Sequence, residues 1–160
     1  MAKKIFIIGI IIIALFGILF FAFSSKKVSS YEAVNNYKED ITVYKSGSCG
    51  CCDVYSRYFK SRGNSKTKSI DLEDLKSIKN KYGVPSTMES CHTTIIGDYF
   101  IEGHIPLEAV EKLLTEKPSI KGIAMPGMPL GSPGMIGTKN GPLIIYAVNH
   151  DGSYNEFMRL

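Results

Sequence analysis

The residues in this chain best suited to chemistry are thiols. Three of its four cysteines fall within Ser48-Cys49-Gly50-Cys51-Cys52, and the fourth, Cys91, stands far along the chain beside His92. A cysteine with no task other than packing behaves as a small hydrophobe. The setting of the cluster, with Gly47, Gly50, Asp53, Tyr55 and Arg57, is too polar and open for packing alone. Thiolates are soft ligands and select Cu(I) over hard cations. Neighbouring Cys51 and Cys52 project in different directions, which suits separate ions joined by bridging sulfurs, so more than one Cu(I) is expected on Cys49, Cys51, Cys52 and Cys91.

Two rival chemistries use the same sulfurs. Zinc accepts four thiolates readily and would make the domain a structural interaction module, but zinc knuckles place two residues between paired cysteines. Cys49 and Cys52 also spell Cys-x-x-Cys, the spacing of a thiol-disulfide oxidoreductase, although Cys51 intrudes as a third thiol. A combined role, changing the oxidation state of bound copper, joins the copper and redox readings. No catalytic residue is assigned. For disulfides, the Cys51–Cys52 ring is strained and Cys49–Cys51 little better, so the link expected is from Cys49 or Cys52 to Cys91, with two thiols spare.

Softer and more distant donors surround this set. Met125, Met128 and Met135 lie in an uncharged stretch rich in glycine and proline, as outer copper ligands, an entry path, or mere gap fillers. His92 and His104 are possible metal ligands, His104 alternatively orienting a turn. His150, in a turn after Asn149, reads as solvated.

The elements that must gather these residues follow from pattern. Ile41 to Lys45 alternates as a first strand. After the cysteines, Val54, Tyr55, Tyr58 and Phe59 recur at helical spacing up to Arg62-Gly63-Asn64. Thr67 to Ile70 reads as a second strand. Asp71 is then expected to cap a helix with Leu72, Leu75, Ile78, Lys79 and Tyr82 on one face, ended by Gly83. Thr93 to Ile96 and Tyr99 to Glu102 form a hairpin across Gly97-Asp98. Ile105-Pro106 opens a third helix that ends before Pro118. Leu143 to Val148 and Tyr154 to Met158 close the chain as a hairpin that extends the sheet or packs over the methionine loop.

This order, β-α-β-α-β-β-α, defines the α/β class and a thioredoxin-like mixed sheet flanked by helices, with an added C-terminal hairpin. In that fold the loop after the first strand and the loop before the third meet at one edge, which would bring Cys91 and His92 to the other three cysteines. Redox thioredoxins place a cis proline before the third strand, where this chain has Cys91-His92-Thr93.

The chain has 160 residues, room for one compact domain and a short appendage. Every residue from Ile5 to Phe23 is apolar or glycine, about the length that spans a hydrocarbon core. Residues 1–27 therefore read as a membrane anchor entering at 5–23, or a signal segment if Ala22-Phe23-Ser24 is cut. Residues 28–40 read as a linker, a tether or short helix, and 41–160 as the metal-binding domain. Either reading of the start places that domain outside the cytoplasm, soluble or secreted if the segment is removed. Of the 19 basic residues, Lys3, Lys4, Lys26 and Lys27 flank the apolar run, leaving the remainder equal to the 15 acidic residues. A neutral domain offers no field for nucleic acid, which is excluded as a partner.

Four motifs together carry a family resemblance: the cysteine cluster, Glu89-Ser90-Cys91-His92-Thr93, Ile101-Glu102-Gly103-His104-Ile105-Pro106, and the run from Gly122 to Met135 (GIAMPGMPLGSPGM). From Ile41 to the C-terminus the chain resembles the CopG-like copper-resistance proteins. The resemblance implies a periplasmic or other extracytoplasmic thioredoxin-like metal-binding domain associated with copper tolerance, with the family's cysteine motif on Cys49, Cys51, Cys52 and Cys91. A copper-transfer or redox partner protein is a further candidate partner. The departure is at the N-terminus, where many relatives carry an evident cleavable signal and this chain has a long apolar run.

Overall fold

The computed structural model describes residues 31–160, so the 5–23 run expected to meet the membrane lies outside the described residues. Among the described residues no helix is long and apolar enough to cross a membrane.

Seven strands form one mixed sheet in the order β2-β1-β3-β4-β5-β6-β7. In β1 (Ile41–Lys45) side chains alternate as a pleated strand requires: Ile41, Val43 and Lys45 are buried, Thr42 and Tyr44 half-buried. It pairs in parallel with β2 (Lys68–Asp71) and antiparallel with β3 (His92–Ile96). All five residues of β3 are buried, as befits a strand covered on both faces. β3 turns through Gly97, at φ +57°, into antiparallel β4 (Tyr99–Glu102). From β4, helix α4 (Leu107–Glu116) crosses over to β5 (Gly122–Ala124), which is therefore parallel to β4. β6 (Ile144–Val148) and β7 (Tyr154–Arg159) add antiparallel strands, so the closing hairpin extends the sheet.

Helix α2 (Gly50–Tyr58) puts Tyr55 into the main core, and a π-helical turn (Phe59–Gly63) adds Phe59; there they join Leu107, Val110 and Leu113 of α4 and Ile96, Ile101 and Ile123 of the sheet. A second cluster includes Val84, Met88, Ile95, Phe100, Ala124 and Val148. The architecture is the expected thioredoxin-like one.

Several local expectations are corrected. Asp71 does not cap a helix; it ends β2 opposite Lys45 and pairs with that buried ammonium, which also meets Asp53 at 2.7 Å. Helix α3 (Lys76–Tyr82) starts later, where Asp74 accepts the Lys76 N–H at 2.8 Å, and it ends as expected at left-handed Gly83. Val54 is 43% exposed rather than on the core face of α2. Within 31–40, the described part of the expected linker, a short helix forms: α1 (Glu32–Asn35) buries Val34 against the core. Buried Asn64 fastens it, its Nδ2 donating to the carbonyls of Val34 at 2.9 Å and Tyr37 at 3.1 Å.

Candidate metal centre

Strand register alone brings the candidate residues to one end of the sheet. Lys45 at the end of β1 faces His92 at the start of β3, Thr93 faces Glu102 at the end of β4, and Glu102 faces Ala124 at the end of β5. The segments holding Cys49 to Cys52, Cys91, His104 and Met125 all adjoin that end. The four cysteine sulfurs lie within 4.8 Å of one another, and so do one ligand atom each from Cys52, Cys91, His92 and His104. Cys52 and Cys91 belong to both groups, so the thiol set continues into a set with two imidazoles.

The first half of the site is the start of α2. The Cys49 carbonyl accepts the N–H groups of Cys52 (3.1 Å) and Asp53 (3.2 Å), which winds the first turn. That turn sets Cys49 and Cys52, three residues apart, on one face with their Cα atoms 5.3 Å apart, and they are joined as a disulfide. The expected link to Cys91 is thereby corrected: helical spacing makes the local partner nearer than the distant one. Cys51 and Cys91 remain free thiols, both half-buried. Cys51 Sγ lies 3.5 Å from Cys49 Sγ, and Cys52 Sγ lies 3.7 Å from the Cys91 carbonyl oxygen.

The second half is more deeply buried. His104 donates from Nδ1 to the Pro133 carbonyl at 2.7 Å, since a carbonyl can only accept. Burial holds its pKa below the usual imidazole value, so the ring is neutral and Nε2 keeps a lone pair, aimed at Cys91 Sγ 3.1 Å away. His92 packs under the Tyr55 ring, centroids 4.3 Å apart, with its Nδ1 3.6 Å from Cys91 Sγ. Its Nε2 is buried and has no hydrogen-bond partner among the described residues. Burial first, then the neighbouring His104 and Lys79, hold His92 well below the usual imidazole range. Burial, with Cys51 adding to it, pushes the Cys91 thiol up to about 11. A neutral imidazole is the form that ligates metal.

Behind Cys91 lies a buried ion pair between Lys79 and Glu102. Glu102 accepts the Ser90 N–H at 2.6 Å and the Thr93 hydroxyl at 2.6 Å, while Lys79 Nζ donates to the Ser90 carbonyl at 2.9 Å. The sequence pattern puts Lys79 on the inner face of its helix among apolar residues. A lysine there, and a glutamate closing the strand Tyr99-Phe100-Ile101-Glu102, are the signals that could have found the pair.

The methionine loop touches the site through its backbone. Gly134, at φ +86°, lies so close to α2 that a Cβ there would sit 2.9 Å from the Cys51 carbonyl oxygen and the Tyr55 nitrogen. Ser90 Oγ donates to the Gly127 carbonyl at 2.9 Å. Met125 is buried in the main core, Met128 is 53% exposed and Met135 half-buried. His150 is exposed, between β6 and β7.

A thioredoxin-like sheet that delivers four cysteines and two imidazoles to one end defines a thiol-centred domain rich in soft donor atoms. Residues 88–135 match the family described as Protein of unknown function, DUF411. Two solved structures, Copper resistance protein copG in Form 1 and Form 2, are similar at 33% identity and a TM-score of 0.69. Each match covers 76% of this chain and 96% or 97% of the solved one. The chain belongs to the CopG-like copper-resistance family. Among curated proteins none matches the chain.

Proposed function

We propose that this protein binds several Cu(I) ions through Cys49, Cys51, Cys52 and Cys91 and serves copper resistance or copper handling outside the cytoplasm. The observation that carries the reading is the gathering of all four sulfurs within 4.8 Å of one another. Soft donors that close can bridge ions, and softness favours Cu(I). The donor set fits: His104 presents a lone pair toward Cys91, and His92 holds a ring nitrogen with no partner among the described residues, so both are candidate ligands at the imidazole side of the site. Full loading takes the dithiol form, in which two electrons and two protons have opened the Cys49–Cys52 bond. The extracytoplasmic placement rests on the apolar run from Ile5 to Phe23, which would also hold the protein at the membrane. Met128 and Met135 are proposed as a weaker thioether path for copper arriving at or leaving the thiolates.

The test is a Cu(I) titration of the full-length protein, reduced without oxygen, against a competing chelator, followed by elemental analysis. More than one copper per chain is expected. One zinc and no copper after growth in copper would overturn the proposal.

One observation favours a second reading: the Cys-x-x-Cys pair is joined at the start of a helix, as in a thiol-disulfide oxidoreductase. Disulfide reduction of a protein substrate by the dithiol form, with no copper bound, would select it.

A further inference from the structure

We infer that the buried Lys79–Glu102 pair is the positioning element of the metal centre, fixing Cys91 and His92 independently of whether the Cys49–Cys52 bond is closed. The inference rests on the copper reading above and names what holds one side of that site.

The argument begins with what the pair bonds. Glu102 is fully buried and the Lys79 side chain is 5% exposed, so both charges have left water. Replacing a buried pair of this kind with apolar groups is often neutral or stabilising, so stability alone is a weak account of it. Outside the pair, the described hydrogen bonds of its two side chains go to two residues. Ser90 is held by both main-chain groups, N–H to Glu102 and carbonyl from Lys79 Nζ. Thr93 is held by its hydroxyl, which donates to Glu102 Oε2 and accepts from Lys79 Nζ at 3.4 Å. Ser90 and Thr93 are the residues immediately before and after Cys91-His92. The two ligand candidates are thus strung between two anchor points on one clamp.

The clamp also reaches the third candidate. Gly103, next to Glu102, donates its N–H to the His92 carbonyl at 3.0 Å, and His104 follows. No bond of the clamp involves Cys49, Cys51 or Cys52. Opening the disulfide therefore frees the sulfurs of α2 while Cys91 keeps its place. Ligands held by a second layer of hydrogen bonds bind metal more tightly because their geometry is set in advance.

The experiment uses the full-length protein with Lys79 and Glu102 replaced together, Lys79→Met with Glu102→Gln, which leaves no unpaired buried charge. Two quantities are read: Cu(I) affinity of the reduced protein against a chelator, and the iodoacetamide alkylation rate of Cys91 in the oxidised, metal-free protein, resolved by peptide mass. The expected result is cooperative unfolding, a loss of Cu(I) affinity of about 10- to 100-fold, and faster alkylation of Cys91. A folded variant with wild-type affinity and wild-type alkylation overturns the inference. If the double variant does not fold, Thr93→Val takes its place: it keeps the pair and removes one anchor, and the same two readings decide. Asn64→Ala is the control, since it loosens α1 away from the site; if it moves both readings as far as the clamp variant does, the inference is overturned. Should the wild type bind no Cu(I), the copper reading falls by itself, and the alkylation rate alone decides the positioning role.

Discussion

The two halves of the site are held by opposite means. On α2, Cys49, Cys51 and Cys52 sit at a helix start whose tightest constraint is one covalent bond that electrons can open. Across from it, Cys91, His92 and His104 are held by buried hydrogen bonds that electrons leave untouched. A site with one adjustable wall and one fixed wall can change its number of thiolates without rebuilding its geometry. Redox state on one side and side-chain placement on the other are thus separate variables.

Removing a sulfur from the adjustable wall gives the largest effect. Cys51→Ser leaves the Cys49–Cys52 exchange pair complete but deprives a shared-sulfur cluster of a bridge. Copper bound per reduced chain is expected to fall by at least half, while oxidation of the dithiol by glutathione disulfide continues; unchanged loading would make Cys51 a bystander.

Next is the contact between the walls. Gly134→Ala forces a methyl to within 2.9 Å of two main-chain atoms of α2 at a left-handed φ. A loss of about 1–3 kcal/mol is expected from the urea midpoint. Gly141→Ala sharpens the comparison, since φ there is +97° but nothing lies within 4 Å, leaving backbone strain alone. Equal losses at both positions would mean that the loop yields freely over the helix.

The smallest effect reads the fixed wall by pH. Burial favours the neutral thiol of Cys91, so its folded pKa of about 11 stands above that of an unfolded cysteine. Its alkylation in the oxidised protein should keep rising with pH toward 11 instead of levelling near the ordinary thiol range. The sign for stability follows: between those two values the unfolded chain has released its proton and the folded one has not, so stability falls as pH rises. A plateau at the ordinary thiol pKa would show Cys91 to be solvated.

How much of this was legible beforehand depended on whether the signal was local. Alternation in Ile41 to Lys45 and the Gly97-Asp98 turn were enough to place β1, β3 and β4, and their register gathers the four cysteines. The Cys49–Cys52 bond departs from the expected link to Cys91 because one helical turn already sets those two sulfurs together. β5 was missed because three residues beginning with glycine carry no periodicity; only pairing with β4 and β6 makes them a strand. Asp71 looked like a cap because a cap and a strand-end counter-ion for a buried lysine share one residue type. The Lys79–Glu102 pair left a trace, a lysine among apolar helix positions and a glutamate ending a buried strand, but its bonds to the Ser90 main chain are encoded by no side-chain pattern.

The hydrogen that Gly134 carries in place of a methyl gives the methionine loop its clearance over α2. The neighbouring Pro133 carbonyl decides which nitrogen of His104 bears the proton. A wedge inserted at Gly134 would lift that carbonyl, and the imidazole would be free to rotate and offer Cys91 an N–H where it now offers a lone pair. The electron pair available to a metal at the centre of the site is in that sense set by an atom missing from a surface loop.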